Sequence, residues 1–348
     1  MWQVANLRPI ANRPVPANNR LRLWFCCPAG RLSRPAPGVR ARLSVTLQEA
    51  ADLIRVGGLV AFPTETVYGL GANALDESAV RKIYQLKRRP ETSPLIVHVS
   101  SIDMAKAIVS EWPPLAEDLA CQWWPGPLTL VLPKRPAIPD IVTAGLPTVG
   151  VRMPSHPVAL QLIQKAGVPI AAPSANRFTG VSPTTPEHVR AAFGSEVPVL
   201  EGGQSHVGIE STVVAIQNGA LKLLRPGMIS LGELEHAAAG SGGAHLAPGM
   251  SVRHYSPRTP LLLVQRSEDL PNALGAYIWR LRNADAVRNV RMPEDPRAYA
   301  ACLYAVLHQL DAENHPWIAV ELPPGTEEWA AIRDRLQRAA ATERPREG

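Results

Sequence analysis

The residues able to do chemistry here are cations and small polar side chains placed at the ends of apolar runs. Lys87-Arg88-Arg89 closes a helical pattern and is followed by Pro90 and Pro94. Val149-Gly150-Val151-Arg152 sets Arg152 at the end of an apolar strand, and Ala171-Ala172-Pro173-Ser174-Ala175-Asn176 ends another with Ser174 and Asn176. Gly208-Ile209-Glu210-Ser211-Thr212 opens a strand, and Leu224-Arg225-Pro226-Gly227 sets Arg225 at a strand-to-turn junction. Each segment alone reads as structural, and Lys87-Arg88-Arg89 reads first as a solvated helix C-terminus whose cations complement the dipole. Strand ends of open α/β sheets are where ligands collect, so four such ends with Arg, Ser or Asn form a constellation. Its chemistry would be the holding of anions by separated guanidinium and ammonium groups.

Other chemistries fit less well. Gly69, Gly71 and Ala74 spell G-x-G-x-x-A, yet polar residues from Pro63 to Thr66 separate the strand from the first glycine. The acidic ribose partner expected about 20 residues on is replaced by Lys87, Arg88 and Arg89. A Walker loop, an H-E-x-x-H pair and a G-x-S-x-G elbow are all missing, which argues against a P-loop, a zinc hydrolase and a serine hydrolase. Cys26, Cys27, Cys121 and Cys302 have neither zinc-type spacing nor an even framework, so a reducing compartment is the simplest reading.

The elements that must position these groups follow from apolar periodicity. Helices are predicted over 46–56 with Thr46 as N-cap, 77–86, 158–166, from Asp295 as N-cap with Pro296 at the first position, and over 327–340. Strands are predicted at 59–62, 95–99, 128–132, 149–152, 170–172, 198–200, 211–216, 221–224, 261–264, 276–279 and 317–322. Alternation of the two makes the class α/β with a mixed sheet. No apolar run approaches the roughly 18 residues of a membrane span.

The 348 residues carry a net charge of +6, but residues 1–44 hold eight arginines and no Asp, Glu or Lys. The remainder has 28 basic against 30 acidic residues, which speaks against a broad nucleic-acid-binding face on the folded body. The expected organisation is an Arg/Pro-rich disordered extension at 1–44, a larger α/β domain at 45–236 and a Gly/Ala/Ser-rich linker at 237–258. A small α/β domain at 259–341 and a short tail at 342–348 complete it.

Taken together, the ordered segments P-T-E-T-V-Y-G-L, K-R-R, P-L-I-V-H, W-P-G-P-L-T, V-G-V-R-M-P, A-P-S-A-N, G-I-E-S-T-V and L-R-P-G resemble the YrdC family, in its two-domain form. The defining pair K-x-R and S-x-N stands as Lys87-Arg88-Arg89 and Ser174-Ala175-Asn176, and the resemblance runs from about Val45 to about Ala340. It implies a YrdC-like twisted mixed sheet with a large concave cleft, followed by a small Rossmann-like α/β domain. It implies a cytoplasmic nucleotidyltransferase that joins L-threonine, bicarbonate and ATP, with Mg²⁺, into threonylcarbamoyl-adenylate and pyrophosphate. The product would pass to a tRNA threonylcarbamoyl transferase, tRNA being reached only indirectly, with no membrane involved. An alternative within the same fold is a double-stranded RNA-binding module.

The resemblance assigns Lys87, Arg89, Ser174 and Asn176 to catalysis and Thr66, His98, Arg152, Ala172 and Ser211 to threonine. It assigns Arg89, Ser93, Thr148, Ser174, Ser182, Arg225 and Val252 to ATP, with no metal held by protein side chains. The linker would close over the cleft and bring 252–255 to the nucleotide. Ser93 stands where the family usually has Asn. Two anions, a carbamate and a triphosphate, must meet in such a site, so converging cations and exclusion of water are what it needs.

Overall fold

The computed structural model describes residues 44–217, 219–237, 254–271, 275–282, 284, 286 and 288–341. The predicted extension at 1–44 lies outside these residues but for its last, and so does most of the linker.

Strand β1 (Ser44–Val45) leads into α1 (Leu47–Arg55), β2 (Val60–Phe62), β3 (Gly69–Asn73), α2 (Glu77–Lys87) and β4 (Ile96–His98). Then come α3 (Ile102–Ile108), α4 (Pro114–Trp123), β5 (Leu128–Pro133), α5 (Asp140–Thr143), β6 (Thr148–Arg152), α6 (Pro157–Ala166) and β7 (Ile170–Ala171). Next are α7 (Pro186–Phe193), β8 (Val199–Leu200), β9 (Thr212–Gln217), β10 (Ala220–Arg225) and α8 (Leu231–Ala237). A second set follows: β11 (Leu261–Val264), β12 (Ala276–Trp279), β13 (Arg288–Arg291), α9 (Pro296–Ala312), β14 (Ile318–Glu321) and α10 (Ala330–Ala340).

The first set forms one ten-stranded mixed sheet in the order β1-β8-β2-β3-β7-β4-β6-β5-β9-β10. Alternating side chains give each face its own core. Val60, Phe62, Ile170 and Ala172 pack under α1 and α6 with Ala50, Ile54, Leu162 and Ile163. Ala61 and Ala171 face the opposite way, toward Val80 and Ile83 of α2 and Leu119 of α4. Helix α1 starts where Thr46 accepts from the Glu49 amide while Glu49 accepts from the Thr46 amide, a reciprocal cap.

Strand β3 contains the two glycines of the rejected dinucleotide pattern. It runs antiparallel to β2, with Phe62 opposite Gly69 and Val60 opposite Gly71. A Cβ on Gly71 would sit 2.8 Å from the Phe62 ring and 2.8 Å from Ile170. These glycines make room for an aromatic ring inside the sheet rather than for a pyrophosphate.

The second set is a four-stranded sheet, β11-β14-β12-β13, with every pairing parallel. Tyr299, Leu303 and Leu307 of α9 and Ile332 and Leu336 of α10 cover one face through Leu261, Ile278, Ile318 and Val320. Val67, Val181 and Ile209 of the larger sheet's loops belong to that same apolar cluster. Gly208 allows the approach: its φ is +79°, and a Cβ there would lie 2.4 Å from the Ala300 carbonyl of α9.

Candidate functional site

A cleft opens where several of these segments end. Its walls are the turn after β2 (Thr64, Thr66, Val67), Arg89 after α2, and Ile96 and His98 of β4. Arg152 at the end of β6, Ala172 to Ser174 after β7, Glu210 and Ser211 before β9, Arg225 ending β10, and His254 and Tyr255 close it. Eight residues predicted from the sequence thus face one cavity: Thr66, Arg89, His98, Arg152, Ala172, Ser174, Ser211 and Arg225.

At one end the Arg152 guanidinium is nearly surrounded. Nε donates to the Gly126 carbonyl at 3.2 Å, Nη1 to Thr66 Oγ1 at 2.9 Å, and Nη2 lies 2.7 Å from Glu65 Oε1. Thr66 is itself fixed by the Thr64 hydroxyl at 2.8 Å. Both charged partners are buried, Glu65 at 0% and Arg152 at 3% exposure. Burial pushes the Glu65 carboxyl up, but the Arg152 charge and hydrogen bonding to the carboxylate together outweigh it and hold the group below its usual value. A guanidinium has five N–H groups, so one on each terminal nitrogen remains for a ligand carboxylate.

His98 borders the same end, edge-on to Phe62 with ring centroids 5.8 Å apart. Burial, with the Arg152 charge second, pushes its pKa down to about 3, so the ring is neutral at pH 7. Its Nδ1 has no hydrogen-bond partner among the described residues. His254 is likewise pushed down to about 3, chiefly by burial. Both histidines bind protons more readily in the unfolded chain, so stability should fall as pH drops from 6.5 toward about 3. The expected slope is about 1.4 kcal/mol per pH unit for each ring. Urea midpoints that stay flat from about pH 7 to about pH 5 would contradict this.

At the other end, Arg225 donates from Nε and Nη2 to the Ser211 carbonyl at 3.1 and 3.0 Å and from Nη2 to Ser211 Oγ at 3.0 Å. Ser211 Oγ also meets Thr129 Oγ1 at 2.8 Å. Arg89 donates to the carbonyls of Ser93 at 3.4 Å and Pro94 at 3.1 Å, and lies 5.7 Å from the Phe178 ring. Burial lowers the pKa of both arginines. Arg225 lowers that of Arg89 further, and Arg335 and then Arg152 lower that of Arg225.

The remaining predicted residues stand behind or beside the cleft. Lys87 is buried, and its Nζ donates to the Ser174 carbonyl at 2.7 Å and to the Asn176 carbonyl. Arg88, in the left-handed region at φ 54°, ends α2 there. Asn176 Oδ1 accepts from Ser174 Oγ at 2.5 Å, and its Nδ2 donates to the Arg177 and Gly180 carbonyls. Lys87 and Asn176 therefore shape the loop that presents Ser174. Ser93 contributes its carbonyl to Arg89 and to the Tyr84 hydroxyl. Thr148 begins β6, four residues and roughly 13 Å from Arg152. Ser182 is fully buried against Glu210 at 2.6 Å, and Val252 lies outside the described residues.

Lys87→Met should therefore loosen the 174–176 loop and lower stability by about 2–4 kcal/mol, because two buried carbonyls lose their donor. Denaturant unfolding measures it. Unchanged stability with activity gone would instead put the ammonium on a ligand phosphate.

Sequence reasoning passed over Glu65 and Glu210. Both lie inside the quoted segments, and a lone acid beside a strand end, facing an arginine elsewhere, is the signal each leaves. Arg335 and Tyr304, which meet Glu210 from α10 and α9, leave none. Among the described residues no cluster of His, Cys, Asp or Glu could hold a metal ion. Glu210, the cleft's carboxylate, is already engaged by Ser182, Tyr304 and Arg335, so these side chains do not fit a protein-held Mg²⁺.

Known proteins resemble the chain over most of its length. The Sua5/YciO/YrdC family profile, described as "Telomere recombination", matches residues 52–227. The Sua5 C-terminal profile, described as "Threonylcarbamoyl-AMP synthase, C-terminal domain", matches residues 228–341. A Bacillus subtilis (strain 168) protein named threonylcarbamoyl-AMP synthase is 38% identical over 343 residues, covering 91% of this chain and 97% of that protein. One of the same name from Pyrococcus abyssi is 47% identical over 231 residues, covering 63% of this chain and 68% of that one. The crystal structure of P. abyssi Sua5 complexed with L-threonine matches with a TM-score of 0.79 at 38% identity, covering 84% of this chain and 94% of that one.

Proposed function

Since the chain belongs to the Sua5/YciO/YrdC family and carries the C-terminal domain of threonylcarbamoyl-AMP synthases, we propose that it is an L-threonylcarbamoyladenylate synthase. It joins L-threonine, bicarbonate and ATP, the last arriving as its Mg²⁺ complex, into threonylcarbamoyl-AMP and pyrophosphate. The observation that carries this is the meeting of Arg89, Arg152 and Arg225, from distant parts of the chain, around a single cleft.

The chemistry places an anion against an anion. Threonine's amine takes up the bicarbonate carbon, with loss of water, to give a carbamate. A carbamate oxygen then attacks the α-phosphorus of ATP, and the bond to the bridging oxygen breaks as pyrophosphate leaves. Neither step proceeds well unless fixed positive charge stands on both partners, and preorganised guanidiniums supply it without solvent reorganisation. In this reading the free N–H pair of Arg152 takes the amino-acid carboxylate. Thr66 and the neutral His98 meet the threonine side chain, Ala172 leaves room for its methyl, and Ser211 stands between the two substrates.

Arg89, Ser174 and Arg225 meet the triphosphate. Ser93, Thr148 and Ser182 complete the nucleotide side, Lys87 and Asn176 hold the Ser174 loop, and Val252 belongs with the linker that covers it. Transfer of the adenylate to a tRNA threonylcarbamoyl transferase is the onward step, in the cytoplasm. No described helix is long and apolar enough to cross a membrane.

Incubating the full chain with ATP, threonine and labelled bicarbonate should yield a labelled adenylate of the expected mass with equimolar pyrophosphate. ATP cleavage that ignores threonine, or no labelled adenylate, rejects the proposal. The RNA-binding reading is not favoured. Arg81, the start of the basic patch it would use, is ion-paired with Glu77 at 2.6 Å and Glu91 at 3.1 Å. Arg89, at the end of that patch, is buried in the cleft.

A further inference from the structure

We infer that Arg335, in the second domain, is a positioning residue for the nucleotide side of the cleft, holding in register the two chain segments that carry Arg225 and Ser211. The inference rests on the proposed reading of the cleft as an adenylation site. Arg335 lies on α10 and is 1% exposed, a depth a guanidinium tolerates only when it is paired and hydrogen-bonded. Nε donates to Glu210 Oε2 at 2.8 Å, Nη2 to the Pro226 carbonyl at 2.9 Å, and Nη1 to Asp334 Oδ2 at 2.7 Å.

Its two partners in the larger domain each adjoin a cleft residue. Glu210 precedes Ser211, and Pro226 follows Arg225, which is itself hydrogen-bonded to Ser211. One planar guanidinium therefore spans both strands of the Arg225–Ser211 contact from behind. Glu210 also accepts from Ser182 Oγ at 2.6 Å and from the Tyr304 hydroxyl of α9 at 3.0 Å. His308 of α9 brings its Nε2 within 3.1 Å of the Ser182 carbonyl. The Arg335 guanidinium carbon lies 5.3 Å from the ring centroid of Tyr255, which lines the cleft.

The contacts are lopsided. Ser182 is tied to Arg335 through Glu210, Tyr255 lies against its guanidinium, and Arg225 is reached through the adjoining Pro226 carbonyl. The Arg152, Glu65 and Thr66 group at the other end shares no hydrogen bond or ion pair with it among the described residues. A residue that merely joins the domains would act on both ligands alike. One that positions the nucleotide groups acts on ATP first.

The experiment is calorimetric binding of ATP and of L-threonine, separately, to the full chain and to Arg335→Met, with folding checked by circular dichroism. The expected result is an ATP affinity about tenfold weaker, with threonine affinity within about twofold and partial recovery of ATP binding in Arg335→Lys. Unchanged ATP affinity in folded Arg335→Met, or equal loss for both ligands, overturns the inference. Should Arg335→Met fail to fold, Tyr304→Phe decides. It removes one hydrogen bond to Glu210 and should weaken ATP about threefold while sparing threonine. Unchanged ATP affinity there overturns the inference too. If the parent chain binds ATP but forms no adenylate, the proposed reaction fails while the affinities still judge Arg335. If it binds no ATP, both fail.

Discussion

Arg152→Ala should lower the stability of the chain by about 3–5 kcal/mol and abolish threonine binding in whatever remains folded. Glu65 is fully buried, and Arg152 at 2.7 Å is its ion-pair partner. With the guanidinium gone, the carboxylate keeps its burial and loses its counter-charge. The sign of its pH dependence then reverses. In the parent chain the Glu65 pKa is depressed, so its contribution is present above 4.5 and is lost as pH falls. In the variant burial alone would raise it, so the Glu65 contribution, read as the difference from the parent chain at each pH, would be greatest in acid and decline as pH rises through the new value. Urea unfolding at about pH 5 and about pH 8 reads both effects. The pair Glu65→Gln with Arg152→Met should recover most of the stability and none of the threonine affinity. An Arg152→Ala chain that loses less than about 1 kcal/mol and still binds threonine would remove Arg152 from its place in the mechanism.

Arg225→Ala should reduce threonine-dependent pyrophosphate release about 10²- to 10³-fold, the usual effect of removing one preorganised donor from a developing anion. Its structural cost is smaller, about 1–3 kcal/mol, for the buried Ser211 carbonyl left without its donor. Glu210 keeps Arg335, so no carboxylate is stranded. Threonine affinity should change little, because Arg152, Thr66 and His98 stand at the other end of the cleft. Single-turnover release of pyrophosphate from ATP measures the effect. A rate within about tenfold of the parent would make Arg225 a structural residue.

Local chemistry announced most of the elements. Thr46 and Asp295 cap helices as expected, and Pro296 opens α9. The sheet strands rich in Val, Leu and Ile appear within a residue or two of their predicted bounds. Elements without such a signature escaped. Strand β3 reads as a glycine motif, and β13 is Arg-Asn-Val-Arg with no apolar face to notice. Helix α4 hides behind Trp112-Pro113-Pro114, where proline looks like a loop but in fact occupies the first helical turn.

The site divides in the same way. Which residue types matter was visible in the quoted segments, because four strand ends carrying Arg, Ser or Asn form a constellation that no one of them makes alone. Which carboxylate answers which guanidinium was not. Arg335 and Glu210 are 125 residues apart, and nothing local to Asp334-Arg335-Leu336 separates it from a solvated helix face. Lys87 shows the converse: its type and spacing suggest phosphate, while its burial under the 174–176 loop gives it carbonyls.

The apolar cluster shared by Val67, Val181, Ile209 and helices α9 and α10 bears on how such proteins can be shortened. Trimming the gene after about residue 227 would bare three aliphatic side chains and open Glu210 to water, inviting aggregation. A one-domain version of this enzyme must therefore have rewritten those positions with hydrophilic residues or recruited another subunit to cap them.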